Sequence, residues 1–256
     1  MLSLPMTVPA NSDVKSAARV MQIFQLFAEL RRPASLAFVS QRLGLPKSSC
    51  LALLKTLEAH GYLYVLNEAR DYYPTRRILK EAQAIAENDP LLSLARPILQ
   101  SLTAATHETA FLARRSAKQV HYVEVIESGQ SLRFAATVGE KRPLYIGAAG
   151  QSLLGAMAEP ERNALIDRLE FERFSDRTVH DARELRKRIE EGLARGWFVS
   201  IDGYQEGVSS IGQFVMFNGE PYAIVAAAPT QRLLENEDGI AKAVLEACNA
   251  LSRASI

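Results

Sequence analysis

Two apolar stripes of helical period meet across only Gly44-Leu45-Pro46, and this junction restricts the chain more than any other feature. Leu36, Val39 and Leu43 form the stripe before it; Cys50, Leu53, Leu54 and Leu57 form the one after it, at i, i+3, i+4 and i+7. Ser35 suits the N-cap of the first helix, Gly44 ends it without steric cost, and Pro46 fits the first turn of the second. A longer stripe precedes both. Val20, Ile23, Phe24, Phe27 and Leu30 predict a helix from Asp13 onward that Arg31-Arg32-Pro33 closes. Three helices, the last two short and joined by a glycine turn, have the pattern of a helix-turn-helix.

At about 100° per residue, the side opposite the third stripe presents Ser48, Ala52 and Lys55, flanked by Leu51 and Thr56, with Lys47 in the first turn. Such a small, polar, basic face fits a major groove about 12 Å wide, and it equally describes the solvent side of a helical bundle. Gly61-Tyr62-Leu63-Tyr64-Val65-Leu66 and Tyr72-Tyr73 then predict a hairpin with Arg70 near its tip. That hairpin is either a wing that follows a DNA backbone or a plain cover for the helical core. Charge divides the chain in the same way. Residues 1–80 hold 11 Lys or Arg against 5 Asp or Glu, and residues 81–256 hold 19 against 24. A basic start on an acidic chain is the footprint of a protein whose one part meets a polyanion, although a solvated surface also produces such a surplus.

Helical spacing continues over 75–87, breaks at Asn88-Asp89-Pro90 and resumes with Leu91, Leu94, Ala95, Ile98 and Leu102. Strands are predicted at Gln119–Ser128 and Ser131–Gly139, then a helix at Gly147–Gly155 and helices over 159–171 and 181–195. Strands follow at Trp197–Ile201, Ser210–Phe217 and Tyr222–Ala228, and a helix at Asn236–Ala254 closes the chain. Helices interspersed with returning strands imply an α+β sheet domain of about 165 residues. The expected organisation is a DNA-binding domain over 1–74, a linker helix over 75–89 and a second domain over 90–256.

The 48% apolar and 23% charged composition excludes a fibrous or disordered protein. No apolar run approaches the ~20 residues of a membrane span, and Met1 to Asn11 lacks a basic start followed by an apolar run, so a cytoplasmic protein without a membrane partner is expected. Cys50 and Cys248 are too few for a disulfide framework or a four-thiolate metal site. His60, His107, His121 and His180 lack ligand spacing, and no phosphate-binding glycine loop is present. Gly207 to Gly212 misses the spacing of a nucleophile elbow, leaving Ser209 or Ser210 without a sequence-placed histidine. Neither catalysis nor a cofactor is expected. One segment points to a ligand: Tyr145-Ile146-Gly147-Ala148-Ala149-Gly150-Gln151-Ser152 enters a helix with small residues where backbone N–H groups are bare. This suits a carboxylate, and close helix-to-sheet packing accounts for it equally well.

The arrangement resembles the IclR family of bacterial transcriptional regulators from about Val14 to Ala254. The likeness is carried by Val14 to Arg19, Leu45-Pro46-Lys47-Ser48-Ser49 with Leu53 to Leu57, and Gly61-Tyr62-Leu63. Further along, Arg142-Pro143-Leu144, Gly150 with Leu153-Leu154-Gly155, Arg195-Gly196-Trp197 and Gly207-Val208-Ser209-Ser210-Ile211 carry it. The resemblance implies a winged helix-turn-helix, a dimerising linker helix and a GAF-like sensor domain with a central antiparallel sheet. It implies a homodimer, or a tetramer of paired dimers, on double-stranded operator DNA, open to RNA polymerase as a further partner. Arg19, Lys47, Ser48, Ser49, Lys55 and Arg70 are the implied DNA contacts beside Leu51 and Ala52; Ala52 stands where members usually have Arg. The implied effector site takes in Ser131, Phe134, Tyr145, Ala148, Ala149, Ser200, Val208, Ser210, Val225 and Ala227, with the Ala148 and Ala149 amides on a carboxylate. Ser200, Ser210, Val225, Ala227 and Gln151 replace more polar or reactive residues of relatives, which favours an aromatic or longer-chain acid and control of a catabolic operon. A small-acid-converting enzyme and a ligand-free architectural DNA-binding protein are the competing expectations.

Overall fold

The computed structural model describes residues 14–66 and 70–254, which divide into two compact units, one ending at Glu87 and one beginning at Asn88. In the first unit, α1 (Lys15–Leu30), α2 (Leu36–Leu43) and α3 (Lys47–Ala59) precede a hairpin of β1 (Leu63–Leu66) and β2 (Asp71–Pro74), and α4 (Arg77–Glu87) follows. The apolar stripes account for the packing: Ile23, Leu26 and Phe27 of α1, Val39 of α2 and Cys50, Leu54 and Leu57 of α3 enclose one core with Leu63 and Tyr72. The turn between α2 and α3 is closed locally. Ser35 Oγ accepts the Phe38 N–H, Gly44 adopts φ 63°, and Ser40 Oγ donates to the Leu45 carbonyl at 2.6 Å. A bridge between Ala34 and Tyr72 ties the loop after α1 to the hairpin.

α4 is held to its own unit by one face. Glu81 accepts from the Tyr62 hydroxyl at 2.5 Å and pairs with Arg77, whose guanidinium also donates to the His60 carbonyl at 2.7 Å. No α4 residue is buried, and Leu79 and Ile85 remain exposed, Ile85 to 73%.

The second unit consists of α5 (Pro90–Thr106), β3 (Thr109–Ser116), β4 (Gln119–Ile126), β5 (Lys141–Pro143), α6 (Gly147–Gly155), α7 (Glu159–Ile166), α8 (Ala182–Arg195), β6 (Phe198–Ile201), β7 (Val208–Phe217), β8 (Glu220–Pro229), α9 (Thr230–Glu235) and α10 (Glu237–Ala254). The strands form one antiparallel sheet in the order β5-β4-β3-β8-β7-β6. Its central strand β8 is covered on both faces, which explains an uninterrupted apolar run from Ala223 to Ala228. Ala223, Val225 and Ala227 pack with Leu153, Leu154 and Phe198 on the α6 side; Ile224, Ala226 and Ala228 pack with Leu99 of α5 and Val244 and Leu251 of α10 on the other.

The strand expected over Ser131–Gly139 is a loop. Its alternating Leu132 and Val138 are exposed, and side chains fix it instead: Thr109 Oγ1 donates to the Phe134 carbonyl at 2.6 Å and Arg232 to that of Leu132 at 2.9 Å. The helix expected over 159–171 ends at Ile166. The sequence pattern does not predict β3, β5 or α9.

α6 rests on close backbone contact. A methyl group at Gly150 would collide with the Leu144 carbonyl, and methyls at Gly155 or Gly192 would enter the ring of the fully buried Phe198. Gly150→Ala is therefore expected to destabilise the second unit by about 2–4 kcal/mol or to stop its folding, because backbone cannot yield as a side chain does. Thermal unfolding of the purified variant checks this.

Candidate functional site

The face of α3 away from the core exposes Lys47, Ser48, Ala52, Lys55 and Thr56, with Ser49 and Leu51 half-buried beside them. Lys47 and Lys55 form no ion pair among the described residues, and no side chain caps the helix after Pro46. Lys47 at the uncapped helix start and Lys55 about two turns further along can both meet phosphate oxygens. The Thr56 hydroxyl is turned inward, donating to the Ala52 carbonyl at 2.8 Å. Arg19 is half-buried on α1. Arg70 is exposed at φ 52° just before β2, and the hairpin tip at 67–69 lies outside the described residues.

In the second unit a cavity opens between the start of α6 and the sheet. Gly147, at φ 73°, turns the chain from β5 into α6, whose N-cap residue Ile146 supplies no capping side chain. The Ala148 N–H donates to Ser210 Oγ at 3.2 Å. Register sets Ser210 beside Ser200 of β6 on one side and Ala227 of β8 on the other, so the three form one row of the cavity floor. Ser200 is 4% exposed, and its hydroxyl has no hydrogen-bond partner among the described residues. Aromatic rings make the walls: Phe111 lies 4.4 Å from Tyr122 and 6.3 Å from Phe134, centroid to centroid. Arg142 of β5 and Tyr204 complete the lining, with the guanidinium 4.3 Å above the tyrosine ring. Burial pushes the Tyr122 phenol up to about 12 while neighbouring Arg142 pulls it down, so it stays a neutral donor. The cavity has a volume of about 50 Å³, room for a few waters at roughly 10–15 Å³ each.

Seven of the residues expected at an effector site meet here: Phe134, Ala148, Ala149, Ser200, Val208, Ser210 and Ala227. Three do not. Ser131 lies on the exposed loop, and Val225 is fully buried in the core on the α6 side of the sheet. Tyr145 is engaged elsewhere, its hydroxyl donating to the Glu172 carbonyl at 3.0 Å and accepting the Glu172 N–H at 2.7 Å. Sequence reasoning missed Phe111, Tyr122, Arg142 and Tyr204. Phe111 belongs to the unrecognised β3; Tyr122 lies on an expected strand and Arg142 in a family-like segment, and only the β4–β5 register brings them together. The Ser209 hydroxyl bonds to Thr230 Oγ1 at 2.8 Å and accepts the Asp202 N–H, and no histidine among the described residues bonds to it. No group of His, Cys, Asp or Glu suited to a metal occurs among the described residues, and no helix among them is long and apolar enough to cross a membrane.

Residues 83–253 match the family model of the bacterial transcriptional regulator IclR C-terminal domain, and residues 16–66 match that of the IclR helix-turn-helix domain. The chain belongs to the IclR family. Among relatives of this IclR-family member, the HTH-type transcriptional regulator KipR of Bacillus subtilis is 27% identical over 208 residues, spanning 80% of this chain and 81% of that one. The HTH-type transcriptional repressor AllR of Escherichia coli is 25% identical over 229 residues, 89% of this chain and 84% of that one. The fold is shared with the IclR transcriptional regulator of Alicyclobacillus acidocaldarius, at 23% identity and TM-score 0.78 over 96% of this chain and 100% of that one. It is shared too with an IclR homolog of Microbacterium hydrocarbonoxydans complexed with 4-hydroxybenzoate, at 19% identity and TM-score 0.74 over 93% and 98%. The winged helix-turn-helix and the antiparallel sheet domain are thus those of a family of transcriptional regulators.

Because the Tyr145 hydroxyl makes two backbone hydrogen bonds, Tyr145→Phe should lower stability by about 1–3 kcal/mol. Urea denaturation measures it, and an unchanged midpoint refutes this structural role.

Proposed function

We propose that this IclR-family regulator binds operator DNA through the α3 face and the hairpin, and that a small organic carboxylate in the α6 cavity modulates that binding. The cavity is the observation that carries the reading: the start of α6, where the Ala148 N–H meets only the Ser210 hydroxyl, a Ser200 hydroxyl that makes no hydrogen bond among the described residues, and aromatic walls converge on one space. The amides of Ala148, in exchange for its bond to Ser210 Oγ, and of Ala149 take the carboxylate, with Ser200 and Ser210 beneath it, and Phe111, Tyr122 and Phe134 favour an aromatic body. Binding of 4-hydroxybenzoate by a protein of the same fold supports that class. The regulated genes are then those of a catabolic operon for such acids, read in the cytoplasm.

On the DNA side, Lys47, Lys55, Arg19 and Arg70 supply phosphate contacts, and Ser48 and Ser49 supply short polar ones. Without a long side chain at Ala52, affinity leans on the cations and base readout on the neighbouring small residues. The functional division is a DNA-binding domain over 1–74, a linker helix over 75–89 and an effector domain over 90–256. Ile78, Ala82, Ile85 and Ala86 form a helical stripe that none of the described residues buries, which supports pairing of α4 with a second copy. Dimers, alone or paired into tetramers, would present two heads to a near-palindromic site.

Fluorescence anisotropy with DNA from upstream of the gene and with scrambled DNA, at two salt concentrations and with or without a pool of aromatic and aliphatic carboxylates, tests the reading. Tight, salt-sensitive binding to the upstream DNA that the pool changes at least tenfold is expected, a change of about 1.4 kcal/mol. Equal weak binding to both DNAs, unaffected by acids, refutes it. Lys55→Ala and Lys47→Ala should each weaken binding and flatten the salt slope by about 0.9 for every phosphate the lysine neutralises. Ile85→Lys should shift the protein toward monomers in analytical ultracentrifugation while its helical circular dichroism persists.

A further inference from the structure

Among the described residues, Arg142 is the one charged side chain lining the cavity, and no carboxylate lines it. Its position follows from register: β5 pairs with β4 so that Arg142 lies opposite Val120, and Val120 and Tyr122, two residues apart on one strand, share the face of β4 that lines the cavity. The guanidinium is held 4.3 Å above the Tyr204 ring, and its side chain is 24% exposed. One Arg142 nitrogen pairs with Glu140 Oε1. Glu140 itself belongs to the neighbouring turn, where its other carboxylate oxygen accepts the Thr137 N–H at 3.2 Å and its carbonyl accepts the Tyr122 N–H at 3.0 Å. A guanidinium has five N–H donors, and an ion pair through one nitrogen leaves donors for a second acceptor.

We infer that Arg142 is the specificity-determining residue of the cavity, selecting an organic anion over a neutral molecule of the same shape, and that Glu140 sets the strength of that selection by competing for the guanidinium. The inference rests on the reading of the cavity as the effector site and adds to it the group that discriminates by charge. Tyr204 serves as the plate that keeps the guanidinium facing inward. The α6 amides attract any acceptor, a carbonyl as well as a carboxylate, whereas a partly buried cation discriminates by full charge.

The test uses matched pairs of carboxylate and carboxamide, namely benzoate with benzamide, 4-hydroxybenzoate with 4-hydroxybenzamide and hexanoate with hexanamide. Affinities come from calorimetric or thermal-shift titration of the full-length protein. The wild type should bind at least one carboxylate tenfold or more tightly than its amide. Arg142→Met should cut that ratio at least tenfold, Arg142→Lys should retain most of it, and Glu140→Gln should tighten carboxylate binding severalfold with little change for the amide. Thermal unfolding without ligand identifies variants that fail to fold, and if Arg142→Met is one, the Lys and Gln variants decide. An undiminished ratio in folded Arg142→Met, or Glu140→Gln weakening carboxylate binding, overturns the inference and leaves the effector reading standing. A wild type that binds amides as well as acids does the same. A wild type that binds no member of the panel counts against the effector reading and against this inference with it.

Discussion

The seating of α6 on the sheet is the constraint on which the second unit depends. A helix can approach a sheet this closely only where side chains are absent, and glycines supply the absences. Gly150 admits the Leu144 carbonyl, Gly155 and Gly192 admit the Phe198 ring, and Gly212 of β7 leaves room for the Val225 side chain and Ser152 Oγ. Near its C-terminal end the helix is thus locked by an aromatic ring. At its N-terminal end the floor beneath is the small row Ser200, Ser210 and Ala227, and the space left over is the cavity. The same run of small residues therefore permits close packing at Gly150 and leaves open space at the start of the helix.

The cavity walls are fixed from outside by hydrogen bonds that do not face it. Thr109 Oγ1 donates to the Phe134 carbonyl and accepts the Ser128 N–H, while Arg232 spans from the Glu108 carboxylate to the Leu132 carbonyl. These bonds set the loop that brings Phe134 in. On the opposite side Asp202, at φ 52°, accepts from Thr230 and from the Gly207 N–H at 3.0 Å, and its carbonyl accepts from Ser175 at 2.5 Å. That network anchors both ends of the segment carrying Tyr204. Arg232 is pushed up further by its hydrogen bonds to buried Glu108, so this anchor stays charged over any ordinary pH.

How much was legible in the sequence follows from the range of the signals. The helix-turn-helix is local: Ser35, Gly44 and Pro46 act within their own turns, and the stripes buried Ile23, Phe27, Val39, Cys50, Leu54 and Leu57 as the period requires. The sheet is less local. β3 begins Thr109-Ala110-Phe111-Leu112-Ala113, buried on both faces, and ends in charged Arg114 and Arg115, so no alternation marks it. Leu132 and Val138 do fall on an alternating pattern, yet no sheet edge is free to take them beside β3, whose neighbours are β4 and β8. Site residues follow the same rule. Ser200, Ser210 and Ala148 were reached through segment likeness, whereas Tyr122, Arg142 and Tyr204 meet only after three distant segments pair, and Tyr145, adjacent in sequence to the site, turns its hydroxyl to Glu172.

Charge distinguishes the two units. The surplus of basic residues before residue 80 sits on the unit with the exposed lysines of α3, and the surplus of acidic residues falls on the sheet unit. At physiological salt such fields fade over roughly 8 Å, so a polyanion is drawn to the first unit and turned away from the second. A small organic anion entering the second unit meets the same opposing field, and a cavity of apolar rings alone would not hold it. The positive end of α6 and the Arg142 guanidinium offset that field locally, at the short range where their charge acts most strongly. On the proposed reading of the cavity as an acid site, positive potential must be concentrated inside an acidic domain, and the Arg142 cation of the cavity wall stands where that requirement is met.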